Sequence, residues 1–338
     1  MKKRNSVLDI MKGIGIILVV LGHSIFGNIG GSGTSTNQLY NAIYSCHMAL
    51  FFLVAGFLLY STMPKGNYEE WLIKKFKFYV IPHIWVDVAA YALPFIAVFL
   101  LIPKPLITLP NYITATIFTD YGEWFLMTMF GVIAILSLIF SSGKYMWLSF
   151  ICLLVLIFVY PAHYDYIGVN EIQWYILFAI IGYMIARYFN QLKKYWFVIV
   201  IGALAFIPIM IYTHWQGSWY ETQQYGLLQC LTSGKTWLYG TRLLQALTGI
   251  ALITVISILI SKTKIAPMFQ WLGRYSLAIY ITHSFFIYLG FGSGTFRIVT
   301  TFLICMAIST TIILLMRNVK VVQRWFPKKE SQIITKTT

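Results

Sequence analysis

The first strongly apolar stretch of the chain carries two ionisable side chains whose spacing points to chemistry inside a membrane. Lys12 and His23 stand in this stretch with ten residues between them. A helix turns about 100° and rises about 1.5 Å per residue, so His23 lies within about 20° of Lys12 and about 16 Å farther along the axis. Asp9, three residues before Lys12, lies near the same face and can neutralise the lysine. One helix face is therefore predicted to hold an ion pair near the membrane surface and an imidazole deep inside.

The chemistry that His23 offers is proton transfer. The ordinary pKa of histidine, near 6.5, lets a neutral imidazole act as a base at neutral pH. A charged group in a membrane segment costs about 2.5–3.5 kcal/mol on insertion scales, so it is retained mainly where it has a partner or a function. A second interpretation stays open, in which Lys12 reaches to the surface and His23 only hydrogen-bonds to a neighbouring helix.

Further ionisable side chains are predicted at membrane depth in later segments. His47 opens the second span, in which Gly56 would let another helix approach closely. His83 and Asp87 share a face of the third span, but no second ligand pair matches their spacing, so no metal is expected. The other candidates are Glu123 at the start of the fourth span, Arg242 with Gln245 in the eighth, and Ser276 with His283 in the ninth. Each could be only an interhelical hydrogen bond, but a purely structural bundle does not need several histidines and an arginine.

Transmembrane helices must position these residues. The chain of 338 residues is 59% hydrophobic and 10% charged, whereas about a quarter of the residues of a soluble domain are charged. An all-α, polytopic membrane protein is predicted, with one membrane domain over residues 1–326 and a polar cytoplasmic tail over 327–338. Ten apolar segments approach or exceed the length that crosses about 30 Å of hydrocarbon: 10–27, 42–61, 78–102, 124–140, 145–161, 172–188, 195–213, 236–260, 273–290 and 296–316.

The distribution of charge predicts the orientation of these spans. With the amino terminus inside, most lysines and arginines fall in the inner loops, and ten spans place both termini in the cytoplasm. The net charge of +15 then comes mostly from lysines and arginines of the inner loops, which face anionic lipid of the cytoplasmic membrane. No nucleic-acid partner is expected.

Five motifs, in order along the chain, carry a resemblance to a known family. The chain resembles the membrane-bound acyltransferase 3 family, the bacterial integral-membrane O-acyltransferases that modify surface glycans. The Lys12-x10-His23 spacing matches the family's pattern of Arg or Lys, ten residues, then His. The matching stretches are LDIMKGIGIILVVLGH (8–23), HMALFFLVAGFLL (47–59), IKKFKFYVIP (73–82), EWFL (123–126) and LGRYSLAIYITHSFF (272–286).

The resemblance implies a cytoplasmic acyl-CoA donor, most often acetyl-CoA, and a hydroxyl of a cell-surface carbohydrate or its lipid-linked precursor as acceptor. A sugar hydroxyl is a weak nucleophile until a base removes its proton, and His23 is the predicted base. Lys12 is expected to meet an anionic part of the donor, with Asp9 beside it. Glu123 and His47 are expected to orient His23 or bind the acceptor, and Arg242, His283 and Asp9 to contact substrate. Arg242 could instead orient His23 or stabilise the oxyanion that forms as the carbonyl is attacked.

A second basic group is predicted at the inner edge of the third span, where Lys74, Lys75 and Lys77 suit the phosphates of coenzyme A as point charges. The family often shows an Arg-x-x-Arg pair in this stretch, and Lys74-x-x-Lys77 is the nearest equivalent. Inner-leaflet lipid is the alternative ligand.

Three other functions remain as alternatives. A proton-coupled transporter or flippase would use the histidines as a relay, although the chain lacks the repeated halves that many transporters show. A scaffold or sensor would keep the fold without catalysis. Within the enzyme class, the donor could carry another acyl group such as succinyl.

Overall fold

The computed structural model of the chain describes residues 5–29, 37–63, 67–87, 124–141, 147, 150, 151, 169–215, 232–234 and 236–316. These residues are arranged in two compact units. The first unit comprises Met1–Leu50, Phe197–Gly217 and Gln245–Thr338, and the second comprises Phe51–Trp196 and Ser218–Leu244.

Every regular element in the described part of the chain is helical. Short 3-10 turns at Lys193–Tyr195 and Ser284–Phe286 connect some of the α-helices. The α-helices are α1 (Ser6–Ile29), α2 (Gln38–Thr62), α3 (Tyr68–Asp87), α4 (Trp124–Ser141), α5 (Val169–Arg187), α6 (Phe189–Leu192), α7 (Trp196–Tyr212), α8 (Thr236–Ile260), α9 (Ala266–Arg274), α10 (Ser276–His283) and α11 (Gly294–Met316).

Five helical stretches among the described residues are long and apolar enough to cross a membrane: α1, α2, Phe189–Tyr212, α8 and α11. Two shorter apolar stretches are Trp124–Phe140 and Ser276–Phe286. The prediction of an all-α, multi-pass membrane protein is therefore confirmed for these residues. The count of ten spans stays a prediction, because most of the predicted spans 78–102 and 145–161, and the tail 327–338, lie outside the described residues.

Asparagine side chains begin three of these helices. The Oδ1 atom of Asn5 accepts from the backbone N–H groups of Val7 and Leu8 at the start of α1. Oδ1 of Asn37 accepts from the N–H of Tyr40 at the start of α2, and Oδ1 of Asn67 accepts from the N–H of Glu70 at the start of α3. Such caps satisfy backbone donors that have no partner within the helix and contribute about 1 kcal/mol each. The local sequence thus fixes where the helices that carry Lys12, His47 and the Lys74 group begin.

In the first unit, α1 packs against α9, α10 and α11. Glycines allow the closest part of this contact: a Cβ on Gly273 of α9 would overlap the backbone carbonyl of Asp9, and a Cβ on Gly13 of α1 would overlap that of Phe269. Small residues let two helix backbones meet in this way, as is common in membrane proteins. The contact fixes α1, and with it Lys12 and His23, against α9.

The predicted ninth span, residues 273–290, corresponds to the apolar stretch Ser276–Phe286, and α9 precedes it as a separate helix. The chain bends at Tyr275, where α9 ends and α10 begins, and α10 passes into a 3-10 turn after His283. The hydroxyl of Ser276 donates to the carbonyl of Gly273 at 3.1 Å, and side-chain bonds of this kind compete with the helical ladder. The bend gives α10, which carries His283, a direction separate from that of α9.

In the second unit, α3 packs against α4 and α4 packs against α5. Gly56 of α2 lies against the backbone of Ala179 in α5, and Gly182 of α5 lies against that of Leu53. The prediction that Gly56 permits close approach of a neighbouring helix is therefore confirmed, with α5 as that helix.

Candidate functional site

Two histidines from distant parts of the sequence meet inside the first unit. His23 of α1 and His283 of α10 are joined by a hydrogen bond of 3.0 Å between Nδ1 of His23 and Nε2 of His283. Their ring centroids are 5.0 Å apart. His283 has no exposed surface, whereas His23 keeps part of its surface accessible. Of the two residues, His23 is therefore the more exposed, and His283 lies on the Nδ1 side of its ring.

A third histidine lies near this pair. His47 of α2 is 1% exposed, donates from Nδ1 to the carbonyl of Ile43 at 2.7 Å, and is near enough to His23 to interact with it electrostatically. The ring of Tyr44 makes an edge contact with His47 at 4.8 Å between centroids, and it also lies against Gly22, the neighbour of His23. The structure thus brings together His23, His47 and His283, three of the residues singled out from the sequence.

The predicted ion pair at the start of α1 is present. Nζ of Lys12 lies 2.9 Å from Oδ1 of Asp9, and both side chains are largely buried. Ten residues lie between Lys12 and His23, and the helix rises about 16 Å from one to the other. The pair therefore lies along α1 on the side of the imidazole nearer the amino terminus, as the spacing predicted.

The basic residues of the third span lie within α3, because that helix begins at Tyr68 and not near residue 78. Nζ of Lys74 and Oε1 of Glu70 are 2.6 Å apart in an exposed ion pair. The hydrogen bond and charge of Lys74 lower the pKa of the Glu70 carboxyl. Lys75 lies over the ring of Trp71 at 5.4 Å, and Lys77 is exposed. This basic edge is accessible, and an anion that binds Lys74 must compete with Glu70.

Arg242 occupies a separate, aromatic environment in the second unit. Its guanidinium stacks over Trp174 of α5, 4.0 Å from the ring centroid, and it donates a hydrogen bond to Tyr175. Glu171 and Tyr239 are near enough to interact with its charge. Arg242 and Glu171 are both buried. Because these neighbours fix the guanidinium of Arg242 in place, the residue is suited to a structural role or to binding a ligand.

The remaining candidates are less informative. Glu123 lies outside the described residues. His83 is buried in α3, and the side chain of Asp87 is not among those described. In the described part of the chain, no group of three or more His, Cys, Asp or Glu side chains could hold a metal ion.

Two residues of these clusters were not singled out from the sequence. Glu171 appears there as one more acidic residue at an outer helix start, yet it is buried beside Arg242. Its position three and four residues before Trp174 and Tyr175, on one helix face, is the signal that could have identified it. Tyr44 lies three residues before His47, and the same spacing rule places it beside that histidine.

The arrangement in the first unit provides a partly exposed histidine, His23, with one ring nitrogen already engaged by a buried partner, which is how a general base is usually held. Comparison with known proteins bears on the chemistry. The profile of a protein family described as an acyltransferase domain matches residues 5–317. Neither curated proteins nor solved structures gave a match. The matched range contains every helix and candidate residue described above, and the chain therefore belongs to the membrane acyltransferase 3 family.

Proposed function

We propose that this protein transfers an acyl group, most simply acetyl, from cytoplasmic acyl-CoA to a hydroxyl of a cell-surface carbohydrate or its lipid-linked precursor. One observation carries the proposal: His23, a partly exposed residue of an apolar helix long enough to cross a membrane, is held through Nδ1 by a buried partner. Acyl transfer to an alcohol requires a base near the hydroxyl, and such a ring can supply one. Membership of an acyltransferase family supports this chemistry.

The donor side of the reaction is assigned to basic residues. Coenzyme A carries phosphates, and lysine ammonium groups bind phosphate as point charges. Lys74, Lys75 and Lys77 offer such charges on α3, and Lys12 offers one on α1, with Asp9 setting its position. The lysines of α3 equally suit the headgroups of anionic lipid, so donor binding must be measured directly.

The acceptor side is assigned to the other polar residues. His47 and Tyr44 lie beside His23 and are suited to contact an acceptor hydroxyl. Glu123 keeps the role proposed for it from the sequence, and Arg242 with its aromatic neighbours is suited to hold an acceptor group. The oxyanion that forms as the carbonyl is attacked requires hydrogen-bond donors as well.

Binding and turnover of acetyl-CoA and succinyl-CoA by the purified protein in nanodiscs test this proposal. Binding is followed by titration, and release of coenzyme A is followed by chromatography against empty nanodiscs. We expect saturable binding of acetyl-CoA and a slow release of coenzyme A to water in the absence of the acceptor. Preference for succinyl-CoA would change the acyl group only. A folded protein that binds and turns over neither thioester contradicts the proposal and favours the transporter.

A further inference from the structure

The hydrogen bond between the two histidines has a direction that follows from the atoms at its far end. We propose that His283 is a positioning residue: it accepts a hydrogen bond from Nδ1–H of His23 and so holds that ring in the tautomer whose lone pair is on Nε2. This inference rests on the proposed function, in which His23 is the base, and gives a buried residue a part in it.

The direction follows from the backbone of α10. Nδ1 of His283 lies 2.7 Å from the carbonyl oxygen of Tyr280 and 3.2 Å from that of Ile279. A carbonyl oxygen only accepts hydrogen bonds, so Nδ1 of His283 carries the proton. In a neutral imidazole one nitrogen donates and the other accepts, and Nε2 of His283 is therefore the acceptor. The atom that faces it, Nδ1 of His23, must donate.

The opposite direction requires a cationic His283. Its Nε2 would then also carry a proton and donate to His23, which would move the His23 proton to Nε2 and block the base. That charge would lie on a ring with no exposed surface, and burying a charge costs free energy. The neutral arrangement avoids this cost and satisfies all the hydrogen bonds described for His283.

The tautomer determines how the proton moves in the proposed reaction. Nε2 of His23 takes the proton of the acceptor hydroxyl as the bond between the acceptor oxygen and the acyl carbon forms. The carbon–sulfur bond of the thioester then breaks, and the Nε2 proton passes to the sulfur, which leaves as the thiol of coenzyme A. The Nδ1 proton stays on His23 throughout, and its hydrogen bond strengthens while the ring is positively charged.

The role differs from the substrate contact expected for His283 from the sequence. Both nitrogens of His283 are engaged, one by its own helix and one by His23. A fully buried ring of this kind acts through His23, as the third group of a catalytic triad acts through the histidine.

Two substitutions of similar size separate this role from packing. His283→Gln keeps an acceptor, because the amide oxygen of glutamine can reach toward His23, whereas His283→Leu provides none. We expect His283→Leu to lower kcat for coenzyme A release about 10²-fold, within the usual range for general-base catalysis. We expect His283→Gln to stay within about tenfold of wild type, and KM for acetyl-CoA to change little in either variant.

Thr282→Val is the matched control on the same helix, since the hydroxyl of Thr282 donates to the carbonyls of Ala278 and Ile279 in its own helix. It should leave kcat unchanged. Equal losses in the Gln and Leu variants of His283 would assign the residue to packing and overturn the inference. Unchanged kcat in His283→Leu, beside a large loss in His23→Ala, would overturn it as well.

The tautomers can also be determined independently of enzyme activity, from 15N NMR spectra of protein that carries 15N-labelled histidine. Comparison with His283→Gln and His23→Ala assigns the signals of the two rings. We expect protonated Nδ1 and unprotonated Nε2 on both. A proton on Nε2 of His23 would contradict the inference even if acetyl-CoA were not the donor. An inactive wild type with the expected spectrum would contradict the proposed function alone.

Discussion

At the residue scale, the positive charge of Lys12 is expected to affect both donor binding and the stability of the fold. The proposed function assigns Lys12 to the donor, yet Lys12 also neutralises a carboxylate that is 5% exposed. Removing the lysine alone therefore affects donor binding and stability together. The variants that distinguish the two effects change one or both partners.

We expect Lys12→Ala to raise KM for acetyl-CoA about tenfold, equivalent to about 1.4 kcal/mol of lost interaction. It should also destabilise the fold by about 1–3 kcal/mol, because Asp9 loses its ion-pair partner. The double variant Asp9→Asn/Lys12→Ala should recover the stability and keep the raised KM. Lys12→Arg should behave like wild type, because it keeps the charge. KM and thermal unfolding in detergent are the measurements.

A double variant with wild-type KM would remove Lys12 from the donor site. Lys262→Ala provides the control for loss of one positive charge, since Lys262 is exposed between α8 and α9. It should change neither quantity.

What the sequence predicts at this scale depends on how local the interaction is. The pairing of Asp9 with Lys12 follows from three residues of helix and is confirmed. The bond between His23 and His283 joins residues 260 positions apart, and no periodicity reveals it. It depends on where α1 and α10 pack, which is a property of the folded unit.

At the scale of elements, the glycines between α1 and α9 hold the site in place. A Cβ on Gly273 would overlap the carbonyl of Asp9 and press on the backbone of Gly13. Backbone atoms cannot move aside as the end of a flexible side chain can. The separation of the two helices, and through it the position of His23 against α10, therefore depends on residue 273 being glycine.

We expect Gly273→Ala to destabilise the protein by about 1–3 kcal/mol, as overpacking of an interface does, and to lower coenzyme A release. Gly240→Ala is the matched control, because Gly240 lies in α8 with open space around its Cβ position; that change should be neutral or stabilise by up to about 1 kcal/mol. Tryptophan fluorescence during heating measures the stability of both variants. Equal stability of the two variants would contradict this account of the contact.

Helix boundaries were predictable where the sequence contains residues that typically begin or end a helix. α8 spans Thr236–Ile260, as predicted, and asparagine caps begin α1, α2 and α3. The sequence does not predict the bend at Tyr275, because most of the residues in 273–290 are apolar. There Gly273 lies close to the backbone of α1 and the Ser276 hydroxyl donates to the carbonyl of Gly273, and neither contact can be predicted from the apolar pattern.

At the scale of the whole molecule, the orientation in the membrane decides which substrate reaches which end of the site. The proposed donor is cytoplasmic, so the end of α1 that carries Lys12 must face the cytoplasm. Charge distribution predicts this orientation. It also places the segment after α8 inside and the segment before α11 outside.

We expect a membrane-impermeant thiol reagent to label Ser293→Cys in intact cells and to leave Thr263→Cys unlabelled until the membrane is opened. Both positions are exposed in the described structure. Replacing Cys152 and Cys230 with serine lowers the background, while Cys46 and Cys305 are buried. Labelling of Thr263→Cys alone in intact cells would reverse the orientation and remove Lys12 from a cytoplasmic donor site.

The most direct test of the central claim compares wild type, His23→Ala and His214→Asn in nanodiscs with acetyl-CoA. His214 is an exposed histidine with a positive φ of 52°, a conformation that asparagine tolerates, so its substitution controls for the loss of a histidine. We predict that all three proteins bind acetyl-CoA and that only His23→Ala loses release of coenzyme A, by about 10²–10⁴-fold. Full turnover by a folded His23→Ala protein would contradict the assignment of His23 as the base.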